Sequence, residues 1–212
     1  DFMVTLGGWP IDGGSADQKA GTFMHEFGHT LGLHHGGQDD INYKPNFISI
    51  MSYSWQTPFK WTNNWRLDYS TTALPTLTET NLSEPVGLAP PVGAYLVFSV
   101  PFTDSLRNIH WARLKPATAV DWTGNGDSTR VGANVDINSL NGLATPGQTL
   151  TGYVDWSKLI YNFRNSPGFA DGPVTSASAF DIEPEMTPTI FNELDNLPPP
   201  KPMGQFIMDG QL

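Results

Sequence analysis

Residues 25 to 35 read His25-Glu26-Phe27-Gly28-His29-Thr30-Leu31-Gly32-Leu33-His34-His35. On a helix, residues four apart lie about 40° apart around the axis, so His25 and His29 project from one side, one turn above the other. Two imidazoles at that spacing can chelate a single zinc ion. Glu26 falls about 60° from His29, which sets its carboxylate beside such an ion, where it can take a proton from a bound water without being a ligand. A catalytic zinc typically has three protein ligands and keeps its fourth position for water. Continuing the helix would carry the later histidines to another side, so the chain must turn, and Gly32 accepts the positive φ that ends a helix. Either His34 or His35 then comes within reach. The competing reading is a helix whose histidines are solvated or satisfied inside a core.

This string resembles the HExxHxxGxxH pattern of the metzincin zinc endopeptidases, matched at His25, Glu26, His29, Gly32 and His35. Ser49-Ile50-Met51-Ser52-Tyr53 is similar to the methionine turn of the same clan. The resemblance covers about residues 1 to 55 and selects His35 over His34 as the third ligand. It implies that Met51 forms an apolar floor beneath the metal. Similarity to the astacin and serralysin branches adds Tyr53 as an extra ligand or as a stabiliser of the transition-state oxyanion. Gly36, after the third histidine, matches none of the acidic, Ser or Pro variants that mark branches, so the branch is unassigned. The implied activity is hydrolysis of peptide bonds in extended protein substrates by water activated on one zinc, with Glu26 as general base. The alternative is a non-catalytic zinc-containing binding module, or a clipped fragment of a protease.

Several elements must position these groups. Phe2 to Leu6 reads as a short strand, and Ser15 with Gln18 three positions on reads as a capping box that opens a helix. Ala20, Met24, Phe27 and Leu31 recur at helical spacing and predict the face that enters a core. Asp155, followed by Trp156, Leu159, Ile160 and Phe163, predicts a second helix with an acidic N-cap. A third is expected from Pro184, and the proline-rich run from Leu197 to Met203 should be extended.

The expected fold class is therefore α+β: a metzincin-like catalytic domain whose active-site helix separates two subdomains. Residues 1–35 would form the remnant of an upper sheet subdomain. Residues 36–212 would form an irregular lower one that carries the methionine turn. Phe2, Met3, Val4, Thr5 and Leu6 would be the edge strand that pairs with substrate backbone. Only 24 residues precede His25, whereas the family carries a much longer sheet-and-helix segment there. An uncovered Met24, Phe27 and Leu31 stripe would be unstable in water, so a companion polypeptide supplying the upstream half is expected.

Composition narrows the partners. Twenty-one acidic against eleven basic residues give a net charge of −10, and no stripe of Lys or Arg is present to neutralise phosphates, which argues against nucleic acid. There is no cysteine, hence no disulfide and no thiolate ligand. No apolar run approaches the ~20 residues that span a bilayer. The opening Asp1-Phe2-Met3-Val4 lacks the basic start of a signal peptide, which reads as a mature or clipped product.

Asp121-Trp122-Thr123-Gly124-Asn125-Gly126-Asp127 places oxygen side chains at alternate positions, and Asp136 and Asn138 could complete a calcium shell. A helix-loop-helix calcium site is excluded, because Gly132 stands at the twelfth position. The plain alternative is a solvated turn rich in Asx residues. An extracellular location is expected, where calcium would stiffen a chain without disulfides. Asp39 and Asp40 are candidate acceptors for a histidine N–H or further calcium ligands, the plain alternative being a solvent-facing pair, and His110 reads as a core or surface residue.

Overall fold

Ser15 opens the first helix, α1 (Ala16–Thr30), with the expected reciprocal cap: the Gln18 N–H donates to Ser15 Oγ (3.2 Å) and the Ser15 N–H donates to Gln18 Oε1 (2.7 Å). At the other end Gly32 takes φ +81°. Its N–H donates to the His29 carbonyl, and the Leu33 N–H reaches back to the Gly28 carbonyl, both at 3.0 Å. This pair of bonds is how a glycine stop satisfies the last carbonyls of a helix. The computed structural model describes residues 4, 6–9, 13–62, 65–91, 99–115, 117–142, 147–162 and 185–200. Over these residues the chain is α+β, with small helices and short antiparallel strand pairs.

The deepest face of α1 differs from the apolar stripe expected from the sequence. Gly21, Thr22, His25 and Gly28 are its buried residues, while Ala20, Met24 and Phe27 are half-buried. A Cβ on Gly21 would collide with the Gln56 carbonyl oxygen, and one on Gly28 with Met51 Sδ. The glycines let the chain press against the helix backbone, a closeness that hydrophobic periodicity does not register. Leu31 is buried with Leu33, Phe47, Ile50, Met51 and Tyr69, and Met24 and Phe27 pack onto that cluster.

Three antiparallel pairs follow. β1 (Leu77–Thr78) pairs with β6 (Thr149–Leu150), β2 (Leu82–Ser83) with β5 (Val131–Ala133), and β3 (Ser99–Thr103) with β4 (Ile109–Arg113). In the longest pair, Val100 opposes Ala112 and Phe102 opposes His110, and Val100, Phe102 and Ala112 are buried in the largest apolar cluster. Strands this short leave many loop N–H groups without a ladder partner. Two wholly buried carboxylates take up part of the deficit. Glu79 accepts from the N–H groups of Ile137, Gly147 and Gln148, and Glu84 accepts from those of Thr123 and Arg130.

Three expectations about elements need correction. Val4 and Leu6 lie in no strand, and Leu6 is buried beside Trp9 instead of lining an edge; Phe2, Met3 and Thr5 lie outside the described residues. Asp155 begins a single 3-10 turn (Asp155–Ser157), not a helix, because its carboxylate is buried on Ser49 and Ser70 and does not cap the turn. The chain beyond it runs across the end of α1, where the Ile160 N–H donates to the Leu31 carbonyl at 2.8 Å; Phe163 lies outside the described residues. The last helix, α2 (Pro188–Asp195), uses Thr187 as N-cap and Pro188 in its first turn, the device expected at Pro184, which itself lies outside the described residues.

α2 docks through its apolar side. Trp61 Nε1–H donates to the Leu194 carbonyl (2.6 Å), and the Trp9 and Phe191 ring centroids stand 4.2 Å apart. Beyond it, Trp111 Nε1–H reaches the Pro198 carbonyl at 3.0 Å. Among the described residues, no helix is long and apolar enough to cross a membrane.

Candidate metal centre

His25, His29 and His35, the last chosen by the resemblance, converge. His25 Nε2 lies 3.2 Å from His29 Nε2 and 3.2 Å from His35 Nε2. An ion bonded tetrahedrally at about 2.0–2.1 Å holds its nitrogen ligands roughly 3.3 Å apart. The other ring nitrogens fix which atoms face the cluster. His25 Nδ1 faces the Ile50 carbonyl and His29 Nδ1 faces the Leu33 carbonyl, each at 2.9 Å. A carbonyl only accepts, so both Nδ1 atoms carry the proton, which leaves Nε2 as the atom each ring turns toward the centre of the cluster. Nitrogen atoms at that distance need positive charge between them, which a metal ion or a shared proton supplies. The donor set therefore fits a divalent ion that accepts imidazole nitrogen.

His35 reaches the cluster because Gly32 redirects the chain and the next loop is pinned. The wholly buried ammonium of Lys44 donates to the Gly36 carbonyl (2.9 Å), is paired with Asp39 (2.7 Å), and reaches Thr151 on the far side of the loop. Gly36 itself is required by closeness, since a Cβ there would collide with Asp39. His34 turns away and meets Asp40, Nδ1 to Oδ1 at 2.8 Å. Of the two acidic residues, Asp40 thus holds a histidine outside the cluster and Asp39 holds a lysine.

Met51 is fully buried against Gly28, and the residue before it supplies the carbonyl that orients His25. The Tyr53 ring packs 4.8 Å from that of His35 and 5.8 Å from that of His25, centroid to centroid. Two contributors escape the sequence reading. Asp155 anchors the methionine turn through Ser49 Oγ, which also accepts from the Met51 N–H.

The second is Glu185, whose carboxylate lies 3.6 Å from His25 Nε2 and 3.9 Å from His29 Nε2. With the three histidines it forms the one group of three or more His, Asp or Glu among the described residues that could hold a metal ion, all ligand atoms within 4.8 Å. No spacing rule points to a residue 150 positions downstream of His35. Burial, with the Glu185 carboxylate alongside, pushes the Glu26 carboxyl up to about 8. Burial also works to raise Glu185, but its contacts with His25 and the other two histidines hold it below the usual carboxylate range.

The candidate calcium residues are differently disposed. Asp121 accepts from the N–H groups of Asn125 and Gly126, Asn125 Oδ1 accepts from the Asp127 N–H, and Asp127 accepts from Thr129, all in an exposed turn. Asn138 is buried, donating to the Asn42 carbonyl and to Gln148 Oε1. His110 is half-buried against Asp104. No family model, curated protein or solved structure matches the chain.

Proposed function

We propose that this chain is a zinc-dependent endopeptidase acting on extended protein substrates. The observation that carries the reading is the convergence of three Nε2 atoms at 3.2 Å spacing with Glu26 beside them, free of the ligand set. A zinc ion held by His25, His29 and His35 would lower the pKa of water and polarise a carbonyl. Glu26 accepts the proton of the attacking water and returns it to the leaving amine. Tyr53, beside His35, steadies the oxyanion. Glu26→Gln should keep the fold and bound zinc yet lose casein hydrolysis by roughly 10²–10⁴; an active variant would refute the assigned base.

A second reading, a non-catalytic zinc module, is favoured by one observation: Glu185 brings the donor set to four, the number of a closed structural site. Casein hydrolysis that a zinc chelator abolishes separates the two. An extracellular location belongs to the first reading. So does calcium near Asp121, for which the support is the oxygen-rich turn formed by Asp121, Asn125 and Asp127. A companion polypeptide carrying more of the catalytic unit would seat on Phe23, which is 55% exposed and stacked on Phe27.

A further inference from the structure

We propose that Glu185 is a built-in occupant of the position that water and substrate must take, so that the chain as folded is a latent form of the enzyme. The inference rests on the peptidase reading and concerns the regulation of the same site. Its geometric basis is that one carboxylate faces two ligand nitrogens, at 3.6 and 3.9 Å, with Glu26 as a neighbouring carboxyl group. Those are the neighbours required of a catalytic water: the ligand set on one side and the general base on the other.

The carboxylate is placed there by its own chain and not by chance exposure. Met186, the next residue, is buried with Tyr53, Trp61, Phe191 and Leu194, and Thr187 caps α2. Lys60 and Trp61 hold the far end of α2 through Asp195 and the Leu194 carbonyl. Glu185 therefore adjoins an anchored unit, with its side chain 43% exposed. Solvent reaches it, so it can be displaced without unpacking the core. A purely structural fourth ligand would have no reason to stand against a second carboxylate, whereas an occupant of the water position must meet Glu26.

The test compares wild type with Glu185→Gln and Glu185→Ala after confirming equal zinc content and thermal midpoint. Three measurements are made: zinc affinity by chelator competition, the visible spectrum of the cobalt-substituted protein, and the affinity for acetohydroxamate, a small bidentate probe of the open position. Both variants should bind zinc about tenfold more weakly, show a cobalt spectrum altered by loss of a carboxylate, and bind acetohydroxamate at least about tenfold more tightly. Casein hydrolysis should rise in parallel. Variants matching wild type within about twofold in zinc and acetohydroxamate affinity, with an unchanged cobalt spectrum, overturn the role of Glu185 while leaving the peptidase reading intact. A wild-type chain that retains no zinc overturns both. Tighter acetohydroxamate binding without any hydrolysis, in Glu185→Ala that keeps Glu26, upholds the occupancy of the position and overturns the latent enzyme.

Discussion

Ser49 Oγ donates a 2.5 Å hydrogen bond to the carboxylate of Asp155 across 106 positions of sequence, and both residues are buried. The same carboxylate oxygen accepts from the Ser70 N–H, and Ser49 Oγ accepts from the Met51 N–H. A residue far from the histidine cluster thus sets the turn whose Ile50 carbonyl orients His25.

Removing that anchor should be felt at the metal. Asp155→Ala leaves the Ser49 hydroxyl and the Ser70 N–H buried without acceptor and should cost about 2–4 kcal/mol by denaturant unfolding. Zinc affinity should fall with it, through the displaced Ile50 carbonyl. Burial pushes the Asp155 carboxyl up, against its bonds to Ser49 and Ser70, so the neutral isostere Asp155→Asn should be much milder. Equal losses in the two variants would contradict this account.

Gly28→Ala tests the close approach of the methionine turn. Alanine is the better helix former by about 1 kcal/mol, but its Cβ would overlap Met51 Sδ and come within 3.1 Å of Tyr69 Cε1. Overpacking a filled site costs about 1–3 kcal/mol, so the variant should be less stable on balance. A raised thermal midpoint would show that Met51 has room to move.

Lys44→Met removes a buried cation from the loop that follows His35. The Gly36 carbonyl loses its donor and Asp39 its partner, and a loss of roughly 2–4 kcal/mol is expected because an uncompensated carboxylate remains. Weaker zinc binding should accompany it, since the loop after His35 loses the tie from Lys44 to the Gly36 and Thr151 carbonyls. Unchanged affinity at lowered stability would show that His35 holds its position unaided.

Asp104 closes the β3–β4 hairpin by accepting from the N–H groups of Leu106 and Asn108, from Asn108 Nδ2 and from His110. Burial works to raise its pKa, yet these bonds outweigh it and hold the carboxyl down from 3.8 to about 2. A depressed acid stabilises the fold above its unfolded pKa and loses that contribution as the pH falls through the folded one. Stability should therefore drop between about pH 4 and pH 2 for this reason, and Asp104→Asn should lose stability at neutral pH while flattening that part of the curve. Denaturant midpoints measured across this range decide the point.

The chain alone determined the local features of the centre. The capping box at Ser15, the stop at Gly32 and the i, i+4 histidine pair are short-range rules, each set by backbone geometry within one or two helical turns. Only the tertiary structure decided what encloses that pair. Asp155 and Glu185 arrive from more than a hundred residues away, and nothing local marks them, because a carboxylate becomes a buried anchor or a ligand-set neighbour only through what the fold places opposite it. The same reason explains the two misread segments. Leu6 was drawn into a core, and the Asp155 carboxylate was drawn inward by Ser49 and Ser70, so burial and hydrogen bonding overrode the strand and helix preferences of their own sequences.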